Sequence, residues 1–127
     1  MAIISVSLPQ ETLEELDKTV LIGGYKSRSD ALRYSINLIS KDLEKTETAD
    51  NKITGVLVLM HEEKHEHAFS KARHDFEELI KTSIHNQLGG GKCLELFILE
   101  GEAKKVSELM KACRKSGRAQ YLKLITT

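Results

Sequence analysis

Net charge is the first thing this chain lacks: 19 Lys and Arg offset 19 Asp and Glu, so composition alone supplies no electrostatic footprint for a polyanionic partner. There is no Trp, with three Phe and three Tyr, too little to line a large aromatic ligand pocket. No apolar run approaches the roughly 18 residues that span a bilayer; ITGVLVLM is the longest. The opening MAIISVSLPQETLEEL has no basic n-region and runs into an acidic segment, so no signal peptide is expected there. The two cysteines then read as free thiols of a cytoplasmic, reducing compartment. No Ser/His/Asp set, paired catalytic carboxylates or phosphate-cradling loop occurs, so an enzyme is not expected. What is there is 127 residues, 40% hydrophobic and 30% charged, which suits one ordinary soluble domain or two very small ones.

Residues 3–8, IISVSL, alternate Ile4, Val6 and Leu8 with Ile3, Ser5 and Ser7, a short strand with one apolar and one mostly hydroxyl face. Pro9 suits a first helical position, Leu13, Leu16, Val20 and Leu21 repeat at helical spacing, and Gly23 and Gly24 end that helix. Ser27 opens the next helix, with Asp30 three residues on as a shortened capping box. Leu32, Ile36, Ile39 and Leu43 stripe it. Strand–helix–helix in about 45 residues is too little to bury a core alone. A lone strand must pair with another chain to fill its ladder, so dimerisation is expected.

Residues 44–52, EKTETADNK, read as a polar linker. ITGVLVLM then forms a strand, and Phe69, Ala72, Phe76, Leu79 and Ile80 mark a helix within about 62–80. Ser83, His85 and Gln87 alternate with Ile84, Asn86 and Leu88. Gly89, Gly90 and Gly91 allow a reversal, and Leu94, Leu96 and Ile98 alternate with Cys93, Glu95 and Phe97. Ala103, Val106, Met110 and Cys113 stripe a further helix, with Cys113 read as core, and Gln120 to Ile125 form a last strand. The order βαββαβ is that of a ferredoxin-like sheet covered on one face by two helices. The expected fold is α+β: a strand-helix-helix domain over residues 1–45, then a ferredoxin-like domain over 53–127. His85, Gln87 and Cys93 are expected on the sheet face that the helices leave open, to be covered by a partner.

If the hairpin turn is centred on Gly89, His85 sits opposite Cys93, with Cβ atoms about 4.5–5.5 Å apart. One ion at about 2.0–2.3 Å from each donor spans that gap. His74, on the preceding helical segment, reaches the same ion only by folding back or from another copy of the chain. Glu95 is placed either to orient a ligand or to salt-bridge a neighbouring strand. All five histidines fall between 61 and 85. His61 and His65 share a helix face at i, i+4, so His61, His65 and His67 form either a second metal site or a solvated polar face.

The stretch ISVSLPQETLEELDK…GYKSRSDALRYSI resembles the ribbon-helix-helix family of DNA-binding proteins, in which two N-terminal strands pair into a ribbon that enters the major groove. The resemblance implies that Ile3, Ser5 and Ser7 face the groove. It places a backbone phosphate at Ser27, Arg28 and Ser29, as a helix N-terminus favours. The family often carries a basic or long polar residue where Ile3 stands; Ile3 can meet a thymine methyl but cannot read a guanine. Over the whole chain the pattern resembles the NikR-type nickel-responsive repressors, a ribbon-helix-helix head joined to an ACT-like domain. The motifs that carry this are His74, then eleven residues later His85, then Cys93-Leu94-Glu95. The resemblance implies a metal set of His74, His85 and Cys93, with the remaining ligand position at Gln87. His74 is delivered across a homotetramer interface.

Nickel is the metal that kinship implies. An amide oxygen is a poor fourth donor for a square plane, so copper, zinc and cobalt also suit the set. The function expected is a metal-responsive transcriptional regulator, acting as a repressor on operator DNA. Two other readings stand beside it: a regulator whose ACT-like domain senses a small molecule or serves only for assembly, and an antitoxin, which the folded C-terminal half disfavours.

Overall fold

The computed structural model describes residues 1–47 and 52–126. The chain divides into two compact units, Met1–Leu43 and the part from Glu44 onward. In the first, α1 (Gln10–Gly23) ends at Gly24, whose φ of +72° is the left-handed cap that glycine adopts without strain. The second helix, α2 (Arg28–Glu47), opens as the sequence predicts. Ser27 Oγ accepts from the Asp30 backbone N–H at 3.1 Å, and the Asp30 carboxylate accepts from the Lys26 N–H at 3.0 Å. Residues 1–9 belong to no helix or ladder within the chain, and Ile3, Ile4 and Val6 stand exposed. Of the expected linker, residues 44–47 continue α2, since Glu and Lys favour helix without an apolar stripe. The remainder up to residue 51 lies outside the described residues.

The second unit is a four-stranded antiparallel sheet in the order β2-β3-β1-β4, with β1 Lys52–Glu62, β2 Ile80–Leu88, β3 Lys92–Glu102 and β4 Tyr121–Thr126. Helices α3 (His67–Asp75) and α4 (Ala103–Lys115) make the crossovers. The helix expected across 62–80 is shorter: 3₁₀ turns at Glu63–His65 and Glu77–Leu79 flank α3. Leu57, Leu59, Phe97 and Leu99 from the sheet meet Phe69 and Ala72 of α3 and Val106, Leu109, Met110 and Cys113 of α4 in one buried core. Every one of those sheet residues is odd-numbered, as are Cys93 and Glu95, both about 1% exposed. The metal-competent residues of β3 therefore lie on the helix-covered face, contrary to expectation. The bare face is the even one, carrying Val56, Val58, Leu94, Leu96 and Ile98. Alternation along a strand fixes which residues share a face but not which face the helices choose; the β1–β3 pairing decides that.

The hairpin register differs as well. Gly89–Gly91 form a three-residue loop with Gly90 at φ +79° and Gly91 at φ +72°, so the turn is centred one residue later than expected. His85 consequently pairs with Glu95, and Gln87 pairs with Cys93. His85 and Cys93 keep the same face and become diagonal neighbours.

Candidate metal centre

Three strands and one short connection deliver the donors. β1 alternates Leu57, Leu59 and His61 inward, and its register sets His61 directly opposite Cys93. Cys93 and Glu95 follow on β3, and His85 comes from the edge strand β2, where α3 no longer covers the sheet. Glu66 caps the N-terminus of α3, which packs over this face through Phe69 and Ala72. One ligand atom from each of His61, Glu66, His85 and Cys93 lies within 4.8 Å of all the others.

His61 is fully buried and stacks on Phe69, ring centroids 4.7 Å apart. Its Nδ1 meets the Glu62 carbonyl at 2.8 Å. A carbonyl only accepts, so Nδ1 carries the hydrogen and Nε2 faces the cluster. Nε2 lies 2.6 Å from Glu95 Oε2 and 3.5 Å from Glu66 Oε2. His85 Nε2 lies 3.8 Å from the same Glu66 oxygen. Arg73, in the last turn of α3, bonds both Glu66 and Glu95 through its guanidinium. Among the described residues, Glu66 Oε2 is the one buried side-chain oxygen or nitrogen without a hydrogen-bond partner. Such an orphan atom costs about 1–3 kcal/mol unless something meets it. Here it faces two imidazoles and no hydrogen-bond donor satisfies it.

Burial would push the Glu66 carboxyl up, but the Arg73 bonds and the charges of Arg73, His85 and His61 outweigh it and hold the group below its ordinary value. Burial pushes the Cys93 thiol up, and the carboxylates Glu66, Glu63 and Glu95 add to the shift.

The residues expected to carry the site fare unequally. His85 and Cys93 are brought together. His74 stands 79% exposed near the end of α3, its Nδ1 4.0 Å from Glu77 Oε2, and is not one of the clustered residues. Gln87 turns to Glu63, donating to its Oε1 at 2.9 Å. His61 sits at the end of β1 and shares no helix face with His65; neither His65 nor His67 joins the group. In the first unit, Arg28 is engaged by Asp17 through two bonds of 2.7 and 2.9 Å. Ile3, Ser5, Ser7 and Ser29 are exposed. Sequence reasoning passed over His61 and Glu66 as ligands for this ion. The signal for His61 was the period-two run Leu57, Leu59, His61, which puts it in line with the core; Glu66 left none.

A family model described as the NikR C-terminal nickel-binding domain matches residues 54–127. The chain belongs to the NikR family. A nickel-responsive regulator of Methanosarcina mazei is 32% identical over 98% of this chain and 87% of its own length. One from Halobacterium salinarum is 31% identical over 84% of this chain and 78% of its own. A third, from Methanococcoides burtonii, is 29% identical over 97% of this chain and 90% of its own. These NikR relatives are named as regulators and not as enzymes. In this NikR chain the residues present suit a divalent cation: two imidazoles, a thiol and an unmatched carboxylate oxygen converge on one point. No helix among the described residues is long and apolar enough to cross a membrane.

Proposed function

We propose that this NikR chain is a metal-responsive, DNA-binding transcriptional regulator, a cytoplasmic repressor whose affinity for its operator rises when a transition metal binds. The observation that carries it is the convergence of His85 and Cys93 on one face of the regulatory sheet, within one cluster of metal-competent atoms. The regulator works as a homotetramer, with paired N-terminal segments as DNA-reading ribbons and one ion per chain at the interface. Ile3, Ser5 and Ser7 face the groove, and the α2 N-terminus at Ser27, Arg28 and Ser29 meets a phosphate. The exposure of His74 suits a role toward a neighbouring copy, where it joins His85 and Cys93 around nickel. The nickel-responsive relatives favour that metal, with copper, zinc and cobalt as the alternatives.

Metal acts here as a coupling between two sites, of about 1–3 kcal/mol, which is about 5- to 150-fold in operator affinity. A gel-shift titration against the promoter upstream of its own gene tests this. Metal is expected to tighten binding, and Cys93→Ala to abolish the response while leaving weak DNA binding. Equal affinity with and without every first-row divalent ion would rule the reading out.

The second reading, assembly or small-molecule sensing by the regulatory domain, draws on Gln87, whose amide is taken up by Glu63. Metal content well below one ion per chain in protein purified without chelator would favour it.

A further inference from the structure

We propose that His61, Glu66, His85 and Cys93 of a single chain form a four-coordinate site for zinc(II) or cobalt(II), complete without Gln87 and without a second copy. The inference rests on the reading that His85 and Cys93 are metal ligands, and it names the other two donors and the class of ion they select.

Shape is the first support. Three donors rise from neighbouring strands of one sheet face, and Glu66 descends from the start of the helix packed over it. Three points on a floor and one above them make a tetrahedron, not a plane. Bonds of about 2.0–2.3 Å put tetrahedral ligand atoms about 3.3–3.8 Å apart. The two imidazole-to-Glu66 separations, 3.5 and 3.8 Å, already have that length. The loosest pair, at no more than 4.8 Å, closes by about 1 Å.

The orphan oxygen is the second support. Arg73 takes one oxygen of Glu66 and leaves the other buried without a hydrogen-bond partner, 3.5 Å from His61 Nε2 and 3.8 Å from His85 Nε2. A cation there satisfies it.

The outer partners are already in place. The Glu62 carbonyl accepts from His61 Nδ1 and so turns Nε2 toward the cluster, and Arg73 holds both carboxylates. When the ion binds, Cys93 and His61 Nε2 each release a proton to solvent: the sulfur becomes the thiolate ligand, and Nε2 exchanges the hydrogen bond it donates to Glu95 for a bond to the metal. Thiolate and Glu66 then neutralise the dication, and Arg73 neutralises Glu95. A square-planar ion has no such set within one chain, because Glu66 stands out of the floor.

The test uses the reduced full-length chain titrated with cobalt(II) and, by competition with a chromophoric chelator, with zinc(II). One cobalt per chain is expected, with the intense visible absorption of a four-coordinate ion and a thiolate charge-transfer band. Glu66→Gln is expected to weaken zinc binding more than about 100-fold, since even outer-shell partners cost about 10–100-fold, and to abolish the four-coordinate spectrum. His61→Gln is expected to do the same. Because His61 is buried, its fold is checked by circular dichroism, and the part-exposed Glu66 decides the matter if that variant unfolds. His67→Ala, at an exposed histidine outside the cluster, is expected to leave both readouts unchanged. A wild-type-like Glu66→Gln, a faint six-coordinate cobalt spectrum, or loss of binding in His74→Ala would overturn the inference. Binding that needs His74 and spares Glu66 defeats this inference alone, whereas a chain that binds no nickel, cobalt or zinc defeats the proposed function with it.

Discussion

The two units of this chain solve the same problem to different degrees. Among the described residues of the first, Ala31 is the one buried apolar side chain, while Leu21, Ile22, Ile36 and Ile39 are 60–82% exposed. The second buries a continuous core between sheet and helices and still leaves its even-numbered face bare. Helical stripes without anything to cover them cannot offset the entropy of ordering the chain. The first unit leaves its apolar stripes uncovered, whereas the second holds its metal-competent side chains together beside a buried core.

That contrast is sharpest in core substitutions. Leu59→Ala, at the centre of the β1 core, is expected to cost about 2–5 kcal/mol of regulatory-domain stability in chemical denaturation, because it removes buried methyl groups and leaves a cavity. Leu21→Ala, exposed in the single chain, is expected to act only through association. It should lower the melting temperature of the head by more at low protein concentration than at high, since partner binding stabilises by mass action. A concentration-independent effect of Leu21→Ala would erase the distinction between the units.

A smaller effect separates them by pH. Burial pushes the Cys113 thiol up to about 11, against about 9 in an unfolded chain. Below pH 9 the thiol is protonated in both states and costs nothing. As pH rises from 9 toward 11 the unfolded form ionises first, and stability of the second unit falls by about 2–3 kcal/mol at 1.36 kcal/mol per pH unit. Denaturation midpoints of the wild type and Cys113→Ala under reducing conditions check this: the wild type should lose ground across that window and the variant should not.

The least effect is expected at Arg28. Its pairing with Asp17 is solvent-exposed, so Arg28→Ala should scarcely move the melting temperature. If Arg28 contacts a phosphate, operator binding should weaken about equally across sequences and with a smaller salt slope. A large loss of stability would mean instead that the pair holds the head together.

Much of this was legible in the residues. Alternation gave the strands, glycines the turns, and the order of periodicities gave the ferredoxin-like topology, because each is a local signal. What escaped was non-local or degenerate. Three identical glycines do not say which of them sits at the centre of the loop, so the His85 partner was misassigned as Cys93 where it is Glu95. Helical spacing persists through the 3₁₀ turns at Glu63–His65 and Glu77–Leu79, so periodicity could not register their tighter bonding. His61 became visible as a cluster member only once β1 was laid against β3. Glu66 needed the path of the chain above the sheet.

The Glu63 backbone N–H donates to the Gly91 carbonyl at 2.7 Å, and the Glu63 side chain accepts from Gln87. The connection that leads to Glu66 is thereby stitched to the hairpin tip. Lengthening or shortening the run of three glycines by one residue would drag that carboxylate relative to the histidines, with no ligand altered. Loop length, as much as side-chain identity, thus sets the spacing of the proposed ligands.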